Sequence, residues 1–524
     1  MPKTVADLIL EQLAAYGVKH IYGVIGDAIF PLGDALSRQE KISFVPCSIE
    51  TSAAFMAGNA AKLTGRLGVC TGTSGPGAAN LINGVADAFL DNAPLLCITG
   101  QVTSDKLGTD YKQYINQTEL FQAVTAKSRL CTHPETIILI ITSLINQAIT
   151  LKTAVHLEIP EDILAAQAMS EVVPPPQLMS DLTGTKALYG PLDQALQMME
   201  EAKKPLVVIG KKACSKAAVL NTFAESYGSA IIVSRECKGA VSDLAVRVIG
   251  GIGEAYLPDN FLETDLILLF GDAFYEEPFF PSGVPVIRFR NAIQLGSDQY
   301  LDVTGDFDLI IRELRNKFPD FIKRDEWYFK IEAAHQERIS AADHYPDPKH
   351  PLKFFRALSE VVSDDAIITL DVGEFVYWFD LGFLAKKQQV LLSTNWRSMG
   401  GGIPAGIAAC LENPGRQVIT LVGDGGFLMS MTELATIERY QLPLIVFILK
   451  NECYGLEVQK MSKQSYKPFA TDLVLPDLPK LAEAFGIKGY QLNDLSNKEE
   501  LRQFIQSPPV LVEVPVNPAA LPNL

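Results

Sequence analysis

Eight cysteines are spread along the chain without a single Cys-x-x-Cys pair. Cys47, Cys70, Cys97, Cys131, Cys214, Cys237, Cys410 and Cys453 stand apart, several of them inside apolar, strand-like runs. Buried thiols in a reducing cytosol fit that spacing. No lysine- and arginine-rich run offsets the formal charge of −16, which argues against a nucleic-acid partner and leaves solubility as the use of the charge. No apolar span of about 18 residues is evident, so no membrane crossing is expected. The start, Met1-Pro2-Lys3-Thr4, passes directly into an amphipathic helical pattern and lacks the apolar core of a signal peptide. The cytoplasm is the expected location. The first strand is not followed by Gly-x-Gly-x-x-Gly, which removes a nicotinamide dehydrogenase built on that fingerprint.

At 524 residues the chain is too long for one ordinary core. A hydrophobic content of 48% with 20% charged residues is the balance of a globular enzyme. Helix-like and strand-like runs alternate over residues 4–165, and such βαβ patterning predicts a mostly parallel sheet. Val173-Pro174-Pro175-Pro176 reads as a linker. A second α/β unit follows, with predicted strands at residues 206–209, 230–233, 266–270 and 286–287. Residues 324–350 are polar and helix-like and read as a crossing linker, after which the α/β pattern resumes. The expected architecture is α/β, with three doubly wound parallel-sheet domains over 1–170, 185–322 and 349–524.

The densest chemistry lies between Gly423 and Gly455. An apolar run from Val418 to Val422 reads as a buried parallel strand and leads into Gly423-Asp424-Gly425-Gly426. A helical pattern from Phe427 to Tyr440 comes next. A second apolar strand then ends at Lys450-Asn451-Glu452-Cys453-Tyr454-Gly455. Two neighbouring parallel strands would bring Asp424 and Asn451 to one carboxyl edge, where open α/β sheets bind ligands. The glycines let backbone approach an anion. Asp424, the Asn451 amide oxygen and a backbone carbonyl near Cys453 would offer three hard oxygen ligands, which suit Mg²⁺ beside phosphate oxygens. An ordinary strand–turn–helix with an aspartate cap would read the same way. Glu50 is equally two-sided, since a helix N-terminus favours a glutamate for its dipole alone.

Gly423-Asp424-Gly425 with Asn451 resembles the thiamin diphosphate motif, Gly-Asp-Gly followed by Asn-Asn; Lys450 replaces the first Asn. Upstream stand Gly23-Val24-Ile25-Gly26-Asp27, then Glu50, then Gly72-Thr73-Ser74-Gly75-Pro76-Gly77-Ala78-Ala79-Asn80 and Ile98-Thr99-Gly100-Gln101. That order resembles the pyrimidine-binding domain of the pyruvate oxidase and acetolactate synthase branch of thiamin diphosphate enzymes. Its opening residues look most like bacterial quinone-dependent pyruvate oxidases. Met399-Gly400-Gly401-Gly402-Ile403-Pro404-Ala405 is similar to the family's Met-Gly-x-Gly-x-Pro-Ala turn.

The resemblance implies thiamin diphosphate and Mg²⁺ as cofactors and a pyruvate-like 2-oxo acid as small-molecule substrate. Glu50 would meet the aminopyrimidine, Met399 would wedge the two cofactor rings, and Gln113 would complete the catalytic set. Gly26, Ser74, Gly77, Asn80, Arg397, Ser398, Met399, Asp424, Gly425, Gly426, Asn451, Tyr454 and Gly455 would hold the cofactor. The metal would take Asp424, Asn451 and Cys453. The implied reaction is decarboxylation through an enamine, oxidase-like in its outcome. Carboligation without flavin redox is the alternative, and a regulatory homologue impaired in catalysis is a second. No two of the six histidines are adjacent, unlike the pair of simple decarboxylases.

Departures gather near the substrate. Ile49 replaces the usual His before Glu50, and Lys112-Gln113-Tyr114 stands for Phe-Gln-Glu. In the middle unit, Gly250-Gly251-Ile252-Gly253 and Gly271-Asp272 resemble parts of a FAD site, whereas Arg288-Phe289-Arg290-Asn291 replaces the acidic stretch that meets the adenosine end. FAD is left open. The family's shared sites imply a homodimer or homotetramer. The chain ends soon after its last strand, without the lipid-engaging tail of quinone-linked oxidases, so no membrane attachment is expected.

Overall fold

A computed structural model describes residues 3–176, 188–251, 263–272, 283–291 and 300–518. Three six-stranded sheets form, and every strand pair within them is parallel. Across the first sheet lie Ser43–Pro46, His20–Gly23, Gly68–Gly72, Leu95–Gln101, Ala154–Pro160 and Lys127–Leu130. The third sheet repeats that winding with Gln389–Leu391, Ile367–Leu370, Val418–Gly423, Leu444–Lys450, Val510–Pro515 and Lys488–Gln491. The middle sheet runs Val248–Gly251, Ala230–Val233, Pro205–Ile209, Leu266–Phe270, Val286–Arg290 and Leu301–Thr304. The expected three-sheet α/β architecture is therefore the observed one. Central strands are apolar throughout because helices cover both faces, as in Leu444–Lys450, where all but the last residue is buried.

The first and third domains share one core. The helix Glu50–Thr64 is rich in alanine, and Ala53, Ala54, Ala57, Ala60 and Ala61 are buried. Small side chains let the neighbouring helix Pro76–Leu90 come close. A Cβ on Gly84 would stand 2.5 Å from the Phe55 backbone nitrogen and 2.6 Å from the Ala54 Cβ. The helix Gly402–Glu412 of the third domain packs on the same Glu50–Thr64 helix. The helix carrying Glu50 is thus clamped from two sides.

Three expectations need correction. The pattern over Phe427–Tyr440 is broken into Asp424–Ser430, a tight turn Met431–Glu433 and Leu434–Arg439. The break brings Glu433 to the head of the Glu50 helix, where its Oε1 accepts from the Ser48 N–H at 3.0 Å. Residues 324–350 contain the expected helix, Asp325–Ser340, but it is a packed element and not only a crossing: its Trp327, Ile331 and Ala334 cover one face of the middle sheet against Leu206, Val208 and Ile267. Finally, Pro134–Leu151 is a helical span long and apolar enough to cross a membrane by length and composition. One side of it (Ile137, Ile141, Leu144, Ile145) lies in the first domain's core beside Leu96, Ile98 and Val155, while Leu139 and Leu151 are exposed.

Trp327 is fully buried and donates Nε1–H to the Pro205 carbonyl at 3.0 Å. Trp327→Ala should cost about 3–5 kcal/mol of stability, read by guanidinium unfolding. An unchanged midpoint would mean that the helix is not part of the middle domain's cooperative unit.

Candidate active site

The winding of the third sheet places its first and third strands side by side, so Asp371 and Asp424 emerge at adjacent carboxyl ends. Such a switch point opens a crevice. Gly423 pairs with Leu449 on the next strand, which brings Asn451 to the same edge. A cavity of about 310 Å³ opens there, lined by Asp371, Gly373, Thr394, Asn395, Arg397, Met399, Asp424, Gly425, Gly426, Asn451, Cys453, Tyr454 and Gly455 among others.

Asp424 is buried. Its Oδ2 accepts from the backbone N–H groups of Asn451 at 3.0 Å and Glu452 at 2.6 Å, and its Oδ1 from Gly425 at 2.9 Å. Burial pushes its carboxyl up despite these donors. A carboxylate offers about four lone-pair sites, so three donors leave room for a cation. Asn451 Oδ1 accepts one bond, from the Cys453 N–H at 3.3 Å. Among the described residues no cluster of three His, Cys, Asp or Glu side chains forms a metal site. A cation here would rest on Asp424 with amide and carbonyl oxygens, the donor set that suits Mg²⁺.

Glycines shape the floor. A Cβ on Gly425 would stand 2.6 Å from the Tyr454 ring and 3.1 Å from the Met399 methyl, and one on Gly426 3.0 Å from the Asp371 carboxyl. A Cβ on Gly455 would collide with Glu374 Oε2. Met399 is half-buried at the cavity wall, not packed in the core. Lys450 does not line the cavity. Its ammonium turns to Glu513 at 3.2 Å and Glu452 at 3.4 Å, as alternation along a strand requires of the neighbour of Asn451.

A second group of residues gathers at the corresponding edge of the first sheet. Glu50 is buried, and its Oε2 accepts from Asn80 Nδ2 at 3.0 Å. Gly72 and Gly77 close on it: a Cβ there would stand 3.3 Å from its Cγ and 3.1 Å from its Oε1. Gly26 lies against Thr73, beside Ser74. Gln113 has φ of +63° and packs its backbone against Gly75. Lys112 and Gln113 are exposed, Tyr114 is half-buried, and Ile49 is exposed at the helix head. Ser398 belongs with this side through its Oγ, which accepts from Asn83 Nδ2 at 3.0 Å. None of Gly26, Glu50, Ser74, Gly77, Asn80 or Gln113 lines the cavity of Asp424. Within one chain the two groups stand apart.

Sequence reasoning passed over two anchors. Gln117 is fully buried; its Oε1 accepts from the Gly75 N–H at 2.9 Å, and its Nε2 donates to Thr99 Oγ1 and the Gly100 carbonyl at 3.0 Å. Asp371 holds the Met399 turn: its carboxylate accepts from the Gly400 N–H at 3.0 Å, the Gly402 N–H at 3.1 Å and the Val372 N–H at 2.6 Å. An acid ending a strand, as Asp424 does, was the available signal for Asp371. In the middle domain, Arg288 makes a two-pronged pair with Asp302 at 2.7 Å, and Arg290 lies 3.5 Å from Asp272, which also meets Lys212. The acids beside these arginines are thus already engaged with cations. Ile252 and Gly253 lie outside the described residues.

The cavity is thus floored by glycines and lined by three buried carboxyl groups, Asp371, Glu374 and Asp424, with the Met399 side chain on its wall. The chain matches the thiamine pyrophosphate enzyme N-terminal TPP binding domain over residues 3–120, the central domain over 192–314 and the C-terminal TPP binding domain over 371–514. It is 31% identical over 516 residues to YdaP of Bacillus subtilis, named as thiamine pyrophosphate-containing, covering 94% of this chain and 87% of that protein. To a probable acetolactate synthase large subunit of Methanocaldococcus jannaschii it is 30% identical over 550 residues, covering 99% and 93%. The Escherichia coli acetolactate synthase isozyme 1 large subunit is 27% identical over 532 residues, covering 98% and 94%. The chain belongs to the thiamine pyrophosphate enzyme family, in its pyruvate oxidase and acetolactate synthase branch.

Desolvation pushes the Asp371 carboxyl up from 3.8 to about 6, against the backbone donors that pull it down. The folded form therefore keeps this proton where the unfolded chain loses it, and its contribution to stability falls as pH rises through that window. Asp371→Asn should gain on the parent by about 3 kcal/mol across the window, measured by urea unfolding at each pH. A flat difference would refute the shift.

Proposed function

We propose that the chain is a thiamin diphosphate- and Mg²⁺-dependent enzyme that decarboxylates a 2-oxo acid. The observation that carries this reading is the Asp424 cavity, with Asn451, Gly425, Gly426 and Met399 on its walls. When bound, the cofactor supplies a carbon nucleophile and an electron sink for loss of CO₂. Asp424, Asn451 and the backbone near Cys453 hold the cation and diphosphate end. Met399 is the apolar wedge. Glu50, fixed by Asn80 and by two close glycine backbones, presents a carboxylate that holds a proton at the pyrimidine end. Gln113, Lys112 and Tyr114 stand on an adjoining loop and face the substrate.

Glu50 and Asp424 belong to separate half-sites, so each complete site takes Glu50 from one chain and Asp424 from another. Exposed apolar side chains beside the two halves (Ile25, Phe30 and Ile49 on one, Met429 and Phe469 on the other) support such a docking. The pairing of Arg288 and Arg290 with Asp302 and Asp272, together with the names of the relatives, favours ligation to a second carbonyl compound over flavin oxidation of the pyruvate oxidase kind.

Glu50→Gln should keep the fold and slow CO₂ release from pyruvate by about 10²–10⁴-fold; turnover like the parent's would sink the assignment. Glu50→Gln mixed with Asp424→Ala, each inactive alone, should regain activity on subunit exchange, because hybrid dimers rebuild one intact site. No recovery despite verified exchange would place both residues in one chain's site. A visible spectrum without flavin bands, with acetolactate as product, supports the ligase reading; bands bleached by pyruvate support the oxidase.

A further inference from the structure

Asp91 follows the helix Pro76–Leu90 of the first domain and is almost wholly buried. Its Oδ1 accepts from the Thr394 hydroxyl at 2.5 Å and from the Asn395 backbone N–H and Nδ2 at 3.0 Å each. Its Oδ2 accepts from the Thr394 N–H at 3.1 Å and from Lys62 Nζ at 2.6 Å. The carbonyl of the same residue accepts from Lys211 Nζ at 2.6 Å. Lys211 stands just past the strand Pro205–Ile209 of the middle domain. Lys62 also donates to Asp87 at 2.7 Å and to the Leu392 carbonyl at 3.3 Å. One aspartate ties all three domains together.

Burial by itself would raise the Asp91 carboxyl, but Lys62 and Lys211 reverse this and hold it well below the usual carboxylate range. Desolvating such a charge cluster is costly, so stability alone is weak grounds for its presence. What it touches is the loop that forms the cofactor cavity: Leu392, Ser393, Thr394, Asn395, Arg397 and Met399 all line that wall. The far end of the loop is pinned by Asp371 through Gly400 and Gly402. Between the two carboxylates, Arg397 sits at φ +55° and Gly400 at φ +87°. A non-glycine residue keeps such a conformation only where its surroundings impose it.

We propose that Asp91 is a positioning residue. Acting from the first domain, with Lys211 of the middle domain, it sets the conformation of the Leu392–Met399 loop of the third, so that Met399 is in place before a cofactor enters. The link to the cofactor rests on the reading of this cavity as the thiamin diphosphate site.

Trp396 supplies a readout in the apoprotein. It is 41% exposed within the loop and donates Nε1–H to Asn83 Oδ1 at 2.6 Å, whereas Trp327 and Trp378 are fully buried. Acrylamide quenching of tryptophan emission therefore reports on the loop. Asp91→Asn should raise the quenching constant about twofold, as for a segment released to solvent. It should also weaken binding of thiamin diphosphate with Mg²⁺ about tenfold, the loss expected for a charged hydrogen bond, while kcat at saturating cofactor changes far less. Thr394→Val keeps the loop's shape and deletes one bond to Asp91, and should move both readouts the same way to a smaller extent, including where Asp91→Asn fails to fold. Parent-like quenching and cofactor affinity in the folded variants would overturn the proposal. Raised quenching in a chain whose parent does not bind thiamin diphosphate would overturn the cofactor reading and uphold the anchoring of the loop.

Discussion

Parallel pairing of Val418–Gly423 with Ile367–Leu370 on one side and Leu444–Lys450 on the other is the constraint on which the site depends. Parallel strands end on the same edge, so the residues after all three converge without further design. Asp371, Asp424 and Asn451 are brought together by ladder hydrogen bonds formed well away from any of them. A register slip would turn each side chain to the opposite face. The continuous apolar burial of these strands is therefore part of the site's construction.

The remaining parts are held by buried acids rather than by secondary structure. Asp371 fixes the Met399 turn, Asp91 fixes the loop that leads into it, and Glu433 fixes the head of the Glu50 helix from the third domain. Each accepts backbone N–H groups that would otherwise be orphaned in loops, where an unmade hydrogen bond is expensive. Irregular segments at the centre of the molecule are thereby as determined as its strands. The same pattern explains why the glycines matter: at Gly84, Gly425 and Gly455 a side chain would strike a neighbouring element.

The first and third domains wind their strands in the same order and pack through small-residue helices, while the middle domain winds differently. Two like domains place unlike groups at corresponding edges, buried Glu50 with Asn80 on one and Asp424 with Asn451 on the other. The middle domain enters through Lys211, and through arginines whose charge is already met by Asp302 and Asp272. Those pairings could not be foreseen, because Asp302 is set beside Arg288 by strand pairing and not by proximity along the chain.

Local pattern was enough for the strand–glycine–helix units, the three α/β sheets and the grouping of Asp424 with Asn451, since apolar runs and turn residues act over a few positions. It missed the apolar length of Pro134–Leu151, and it read the helix Asp325–Ser340 as a linker because packing on a sheet face is not visible along the chain. Lys450 looked like a defect in the motif until strand alternation sent its ammonium to Glu513. Asp91 and Gln117 carried no local signal, because a buried polar side chain is defined by partners hundreds or tens of residues away. Sequence by itself determined the elements and the chemistry available at their ends. Only the tertiary structure decided which ends meet, because hydrogen-bond partners and desolvation are properties of the packed chain.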